Sequence, residues 1–281
     1  MSGNQGGPAD LFAPSVPAAA CIRVGVGGWT YAPWRNHFYP AKLVQRRELE
    51  YASRHLTAIE INGTYYGAQK PATYAKWREE TPEGFVFSLK APRYTTDRAR
   101  LADAGRTVTD FVDGGIAELG DRLGPINWQF PPHKPFEPDD FAAFLDLLPR
   151  ELEGRTLRHV LEVRHASFMC ADYIALARRH RVATVFTDSP KHPSFADVTG
   201  DFVYARLMRS EAEIETGYTA SALDAWATRA RIWADGGDPP ELPHVDETLQ
   251  ATQARDVFIY FISAAKERNP AAAMALIGRL R

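Results

Sequence analysis

The 281-residue chain contains only two cysteines, Cys21 and Cys170, so it can build neither a disulfide framework nor a zinc cluster of cysteines. This scarcity fits a reducing compartment and predicts a cytoplasmic location. Long apolar runs are missing as well, since the longest, around residues 257–265, is far too short to cross a bilayer. We therefore expect no membrane partner.

The first residues lack the basic segment and apolar core of a signal peptide. They are rich in glycine, proline, alanine and serine. This composition predicts a flexible N-terminal arm over 1–21 and one folded domain over 22–281.

Several catalytic signatures are absent. The eight histidines are dispersed, and no His-x-His, His-Glu-x-x-His, Gly-x-Ser-x-Gly or Walker sequence occurs. Catalytic zinc needs clustered ligands, so we expect no metal site, and nothing in the sequence implies a cofactor. The formal net charge of −2 argues against a polybasic protein, although a local basic site remains compatible with it.

Eight β-rich runs alternate with helical patterns, which is typical of parallel βα units. One apolar stripe joins Val112, Ile116, Leu119 and Leu123 and predicts a helix through these residues. The pattern predicts a single (β/α)8 TIM barrel. A doubly wound sheet is the alternative, but residues 26–30 carry no dinucleotide-binding fingerprint. The predicted strands are 22–26, 57–62, 84–90, 125–130, 158–164, 182–188, 202–206 and 256–261.

In such a barrel the carboxyl ends of the strands open on the functional face, and alternate strand residues point inward. Because buried charges must be paired, neighbouring strands predict the pairs Glu60–Lys90 and Arg164–Asp188. Apolar residues would fill a purely structural core at a lower desolvation cost, so the charges indicate a polar ligand. A charge network that only closes the barrel is the other interpretation. The charged residues predicted at the opening are Glu60, Lys90, Glu162, Arg164, Asp188 and Arg206.

We expect catalysis to depend on Glu60 or Glu162 as the general acid or base, with Lys90 and Arg164 orienting the substrate and Asp188 nearby. Aromatic residues after the first two strands and basic residues after the last two complete the predicted site, because barrels often bind phosphate there. The residues predicted to bind substrate are Trp29, Tyr31, Asn62, Tyr65, Gln129, His165, Arg206, Arg209, Tyr260, Ser263, Lys266 and Arg268.

The chain resembles the DUF72 (YecE-like) family in a set of segments that follow one another in order. The resemblance covers about residues 22–281 and implies a TIM barrel of unestablished activity. The segments are residues 25–31 (GVGGWTY), 59–66 (IEINGTYY), 81–90 (TPEGFVFSLK), 129–132 (QFPP) and 162–165 (EVRH).

The chain departs from the family pattern at three places. Asp97 ends the segment where members commonly have Ile-Thr-His. Met208 follows Arg-Leu where many have His-Gly, and Ser263 stands in place of the second asparagine of Phe-Asn-Asn. These departures indicate a divergent branch whose chemistry differs from that of other members or is lost.

Two functions remain open from the sequence. The first is a cofactor-independent enzyme, of hydrolase or lyase type, acting on a small polar anionic substrate. The second is a non-catalytic protein that binds a phosphate-bearing ligand or nucleic acid through its basic loops and aromatic rim. A glycosidase would need two suitably spaced carboxyls, and the surrounding cations disfavour it.

Overall fold

Eight parallel strands close into a barrel in the computed structural model, which describes residues 21–246 and 253–281. Each strand pairs with its neighbours in the chain, and the last pairs with the first, Ile22 lying opposite Val257. The predicted (β/α)8 TIM barrel is confirmed. The strands are β1 (Ile22–Gly27), β2 (Ala58–Ile61), β3 (Val86–Lys90), β4 (Leu123–Gln129), β5 (His159–Glu162), β6 (Ala183–Thr187), β7 (Phe202–Leu207) and β8 (Asp256–Phe261).

Helices cover the outside of the barrel. A short hairpin of Glu151–Leu152 and Arg155–Thr156 lies between α6 and β5. The α-helices are α1 (Glu48–His55), α2 (Gly63–Tyr66), α3 (Pro71–Glu80), α4 (Arg93–Thr96), α5 (Gly105–Val112), α6 (Pro138–Asp146), α7 (Ala171–His180), α8 (Ala220–Ala234) and α9 (Asn269–Leu280). The 3₁₀ turns are Ala32–Trp34, Gln45–Arg47, Leu101–Ala104, Ile116–Arg122, Ala166–Phe168 and Lys266–Arg268.

The helix predicted to run from Val112 to Leu123 is wrong. Helix α5 ends at Val112, a 3₁₀ segment follows, and Leu123 already begins β4. Gly115 adopts a left-handed conformation with φ of 103°, which an α-helix cannot accommodate. The apolar spacing correctly marked a buried residue, since Ile116 is buried, but a glycine turn interrupts the helix before it.

One connection lacks a helix. Residues 188–201, between β6 and β7, contain no regular secondary structure. A parallel crossover normally carries a helix, so this segment differs from the other six connections. It returns to the amino end of the barrel, where Thr199 Oγ1 donates to the Val182 carbonyl at 2.7 Å. We call residues 188–201 the β6–β7 segment.

The strands separate two cores because their residues alternate in direction. Apolar residues such as Ile59 and Leu161 pack beneath the helices. The interior holds a second apolar group that includes Tyr204 and Tyr260. The polar residues at the carboxyl end stand above this second group.

The predicted flexible arm lies outside the described residues except for Cys21. The Cys21 amide donates to the Asp256 carboxylate at 2.9 Å. The flexibility of the arm and the single domain over 22–281 stay predictions.

Candidate functional site

A buried polar cluster lies at the carboxyl end of the barrel, where β2, β3, β4, β5 and β7 each contribute inward-facing side chains. Glu60, Lys90, Glu162 and Arg206 expose 0, 6, 3 and 2% of their surface. The strand alternation that buries Ile59 and Leu161 beneath the helices turns the neighbouring charged residues inward. The sequence therefore correctly predicted that these four charges converge.

Glu162 is the centre of this cluster. Its Oε1 accepts from Arg164 Nε at 2.9 Å, from Arg164 Nη2 at 2.5 Å and from Arg206 Nη1 at 2.6 Å. Its Oε2 accepts from Asn127 Nδ2 at 3.0 Å and Gln129 Nε2 at 2.7 Å. Five donors thus saturate one carboxylate, which meets the requirement that a buried charge be hydrogen-bonded.

Arg206 joins the two carboxylates across the interior. Besides Glu162 it contacts Glu60, with Nη2 at 3.0 Å from Oε1. The other oxygen of Glu60 accepts from the Tyr204 hydroxyl at 2.7 Å. Burial alone would lower the pKa of Arg206, but the two carboxylates raise it above its usual value. Arg206 therefore remains charged, and it neutralises charge that burial would otherwise penalise.

Lys90 is held differently from the prediction. Its Nζ donates to Gln129 Oε1 at 3.0 Å and lies 4.5 Å from the centre of the Tyr65 ring. The predicted Glu60–Lys90 ion pair is wrong, because Arg206 and Tyr204 occupy the oxygens of Glu60. Within the described part of the chain, no carboxylate lies at ion-pair distance from Lys90.

The protonation states of the two central groups are shifted in different ways. Burial and the charge of Arg206 lower the pKa of Lys90 to about 8, against the opposing effect of Glu162 and Glu60. Burial would raise the pKa of Glu162, but Arg206, Arg164 and Lys90 together lower it far below its usual value. Glu162 therefore stays ionised, whereas Lys90 changes charge near pH 8.

Asp188 does not belong to this cluster, which corrects both its predicted place and its predicted pair with Arg164. Phe186 packs beneath the helices, and residue 188 follows two positions later on the same face. Asp188 Oδ1 accepts from the Met208 amide at 2.5 Å, and Tyr218 donates to Oδ2 at 3.4 Å. Arg164 pairs with Glu162 of its own strand end instead.

The predicted aromatic rim separates into three environments. Trp29 packs edge-on against Trp77 at 5.2 Å between ring centres, on the helix side of the barrel. Tyr31 lies beneath the ammonium of Lys266, 4.4 Å from its ring centre. Only Tyr65 of the predicted rim contacts the charged cluster, through Lys90.

The predicted anion-binding residues after β7 and β8 are held by other parts of the chain. Arg209 Nε donates to the Asp188 carbonyl at 2.6 Å, and Arg268 Nε to the Ala212 carbonyl at 2.8 Å. Ser263 is exposed, with φ of 58°. The structure does not bring these residues together with the charged cluster.

Three further predicted residues lie around or below the cluster. Asn62 is half-buried at the end of β2 beside Gly27. His165 contacts Ser167 through Nδ1 at 2.8 Å. Tyr260 is buried lower in the interior, where its hydroxyl contacts Ser88 Oγ at 2.6 Å.

The charges of the cluster also act on His192, which the sequence analysis did not single out. It lies in the β6–β7 segment, and its Nδ1 is buried without a hydrogen-bond partner among the residues that the structure describes. Burial and the charges of Arg164 and Arg206 lower the pKa of its imidazole, so the ring is within electrostatic reach of the cluster. No periodicity marks this segment, and a lone histidine there gave no signal.

Among residues 21–246 and 253–281, no group of three or more His, Cys, Asp and Glu side chains is arranged to hold a metal ion. Within the same ranges, none of the helices combines the length and the apolarity that crossing a membrane requires.

Comparisons with known proteins match a family model to the whole barrel and curated relatives to part of the chain. The family model described as "Protein of unknown function DUF72" matches residues 23–281. The UPF0759 protein YecE of Escherichia coli strain K12 is 31% identical over 150 residues, which are 52% of this chain and 50% of YecE. The UPF0759 protein YunF of Bacillus subtilis is 28% identical over 116 residues, 40% of each chain. The chain thus spans half or less of the curated relatives it matches.

Solved structures show the same fold. A DUF72 family protein from Thermotoga maritima matches with a TM-score of 0.69 and 19% identity, covering 92% of this chain and 98% of that one. The protein SacUVDE matches with a TM-score of 0.52 and 10% identity, covering 92% and 97%. At these identities the likeness concerns the barrel alone.

Proposed function

The chain belongs to the DUF72 family, and we propose that it is an enzyme that acts on a small polar anionic substrate above the charged cluster, with Lys90 transferring a proton. Hydrolysis and a lyase step both fit such chemistry. The expectation that no cofactor takes part stays a prediction.

The observation that carries this proposal is the environment of Lys90. A lysine used only for structure would be expected to pair with a carboxylate, yet two buried carboxylates stand in the same cluster and both are bound to arginines. The amine instead rests between Gln129 and the Tyr65 ring, with its pKa lowered to about 8. A catalytic pKa near the working pH favours both accepting and donating a proton.

The charge balance supports an anionic substrate. Two carboxylates face three cations, so the cluster carries one net positive charge when Lys90 is protonated. Arg206 is buried between the carboxylates, whereas the Arg164 side chain remains 21% exposed. Arg164 is therefore the cation of the cluster that an incoming anion can reach first, and guanidinium groups suit carboxylates and phosphates.

The two glutamates are proposed as supports for the arginines. Glu162 was predicted as a candidate acid or base, but a carboxylate with five donors and a strongly lowered pKa cannot supply a proton at neutral pH. Glu60 accepts from Arg206 and Tyr204 and is fully buried. Both therefore act through the cations that they orient.

The test compares Lys90→Met with Lys76→Met. Lys76 lies on α3, and its side chain is 65% exposed. Each variant and the wild type are incubated with a mixture of phosphorylated and carboxylated metabolites, and consumption is followed by mass spectrometry between pH 6.5 and 9.5. We expect the wild type and Lys76→Met to consume the same anion, with a change of slope near pH 8, and Lys90→Met to lose at least 100-fold in rate.

Turnover that survives in Lys90→Met, or a rate that is flat across pH 8, would contradict the assignment of Lys90.

Titration of the same anions by calorimetry tests the second function, a non-catalytic binding protein. Binding that depends on Lys90 without consumption of any anion would favour it. The basic residues after β7 and β8 do not support a nucleic-acid surface, because Arg209 and Arg268 bind backbone carbonyls. Nucleic-acid affinity that falls steeply with salt would revive that alternative.

A further inference from the structure

A cavity of about 480 Å³ lies on the outer side of β6, between the β6–β7 segment and α8. Its size is within the range of small-molecule sites. The apolar wall comes from Phe186, Trp226 and Leu242, and the polar wall includes Asp188 and Arg209. The barrel wall separates this cavity from the inward-facing cluster, because Phe186 and Asp188 lie on the outer face of β6.

Asp188 is an unusual neighbour for such apolar walls. Its Oδ1 accepts from the Met208 amide at 2.5 Å, whereas Oδ2, within residues 21–246 and 253–281, has only the long 3.4 Å contact with the Tyr218 hydroxyl. Burial raises the pKa of this carboxyl despite the Met208 hydrogen bond and the nearby charge of Arg209. A carboxylate oxygen with little hydrogen bonding in a mostly buried position is costly, and a ligand donor would relieve that cost.

The walls define the chemistry of the ligand. An aromatic or alicyclic ring fits against Phe186 and Trp226, which lie 5.7 Å apart between ring centres. The guanidinium of Arg209 already offsets the charge of Asp188, so a neutral donor is favoured over an ammonium group. The carboxylate itself disfavours anions.

We propose that this cavity is a second ligand site, which takes a small uncharged ring compound whose hydroxyl donates to Asp188 Oδ2. The site does not depend on the function proposed for Lys90. It also gives a role to Asp188, which the charged cluster does not use.

The test uses 4-fluorophenol and fluorobenzene as probes, and fluorine NMR measures their binding to the full chain. We expect 4-fluorophenol to bind at least tenfold more tightly than fluorobenzene. In Asp188→Asn, the amide oxygen can still accept from Met208 while its NH₂ replaces Oδ2, so this preference is expected to disappear with the fold intact.

A second variant blocks the space instead of the hydrogen bond. Ala222 lines the cavity from α8, and Ala222→Phe is expected to abolish binding of both probes. Thr228→Phe, on the exposed face of the same helix, is the matched control and should bind like the wild type. Equal affinity for the two probes in the wild type, or binding unchanged in Ala222→Phe, would overturn the proposal. Lys90→Met should leave probe binding unchanged, which separates this result from the test of the enzyme.

Discussion

Replacing Glu162 by glutamine is expected to destabilise the protein far more than the loss of a single charge at its surface. Glutamine keeps one oxygen and places an NH₂ group where the second oxygen was. If the oxygen remains toward Arg164 and Arg206, the new NH₂ faces the amide groups of Asn127 and Gln129, which in the wild type donate to Glu162 Oε2 at 3.0 and 2.7 Å. Turning the amide over would instead set the NH₂ against both guanidiniums.

The size of the effect follows from the burial of the partners. Arg206 exposes 2% of its surface and would keep only Glu60 as a counter-charge. Breaking a buried ion pair by removing one partner costs about 3–5 kcal/mol. In a protein of this size each kcal/mol shifts the melting temperature by roughly 2–4 °C, so we expect Glu162→Gln to melt about 6–20 °C below the wild type.

Urea unfolding at pH 7 followed by circular dichroism measures the change in the free energy of unfolding, and calorimetry gives the melting temperature. Glu241→Gln is the matched control, because Glu241 pairs with Arg229 at 2.8 Å but leaves 51% of its side chain exposed. An exposed pair contributes about 0–1 kcal/mol. If Glu162→Gln costs no more than Glu241→Gln, then Glu162 does not hold the arginines in place.

Two predictions concern pH. The pKa of Lys90 is lowered to about 8, so between pH 8 and 10.5 the unfolded chain binds more protons at this position than the folded chain does. The free energy of unfolding should therefore rise across that window by up to about 3 kcal/mol. Urea unfolding of Lys90→Met should lack this rise. Burial lowers the pKa of His159 to about 4, and its Nδ1 accepts from Trp128 Nε1 at 3.0 Å while Nε2 contacts the Pro149 carbonyl at 2.7 Å. The free energy of unfolding should therefore fall by up to about 3 kcal/mol as the pH falls from 6.5 to 4. If His159→Gln shows the same dependence of unfolding free energy on pH, another group is responsible.

The barrel could be predicted because eight β-rich runs alternate with helical patterns along the chain, and the convergence of four charges because strand residues alternate between two faces. Alternation assigns each strand residue to one face regardless of its partners, and Glu60, Lys90, Glu162 and Arg206 all follow it. Asp188 obeys the same rule, since Phe186 two positions earlier faces the helices. Its predicted place rested on its position at the strand end instead of on the alternation.

The pairing of charges could not be predicted from strand order. The prediction joined neighbouring strands, Glu60 with Lys90, but the long side chain of Arg206 reaches across the interior and binds two carboxylates at once. Which cation binds a given carboxylate depends on the length of its side chain and on the geometry of its donors. His192 was missed for a related reason, because an irregular segment carries no period that would orient it.

The pairing of β8 with β1 also sets an order for assembly. The ring of backbone hydrogen bonds cannot be completed until residues 256–261 have left the ribosome, because Val257 and its neighbours bind the very first strand. Contacts between such distant parts of a chain form slowly. Until β8 pairs with β1, water can reach the inward-facing arginines and carboxylates from the open side of the sheet. The chain therefore does not have to bury these charges before nearly all of their partners have been synthesised.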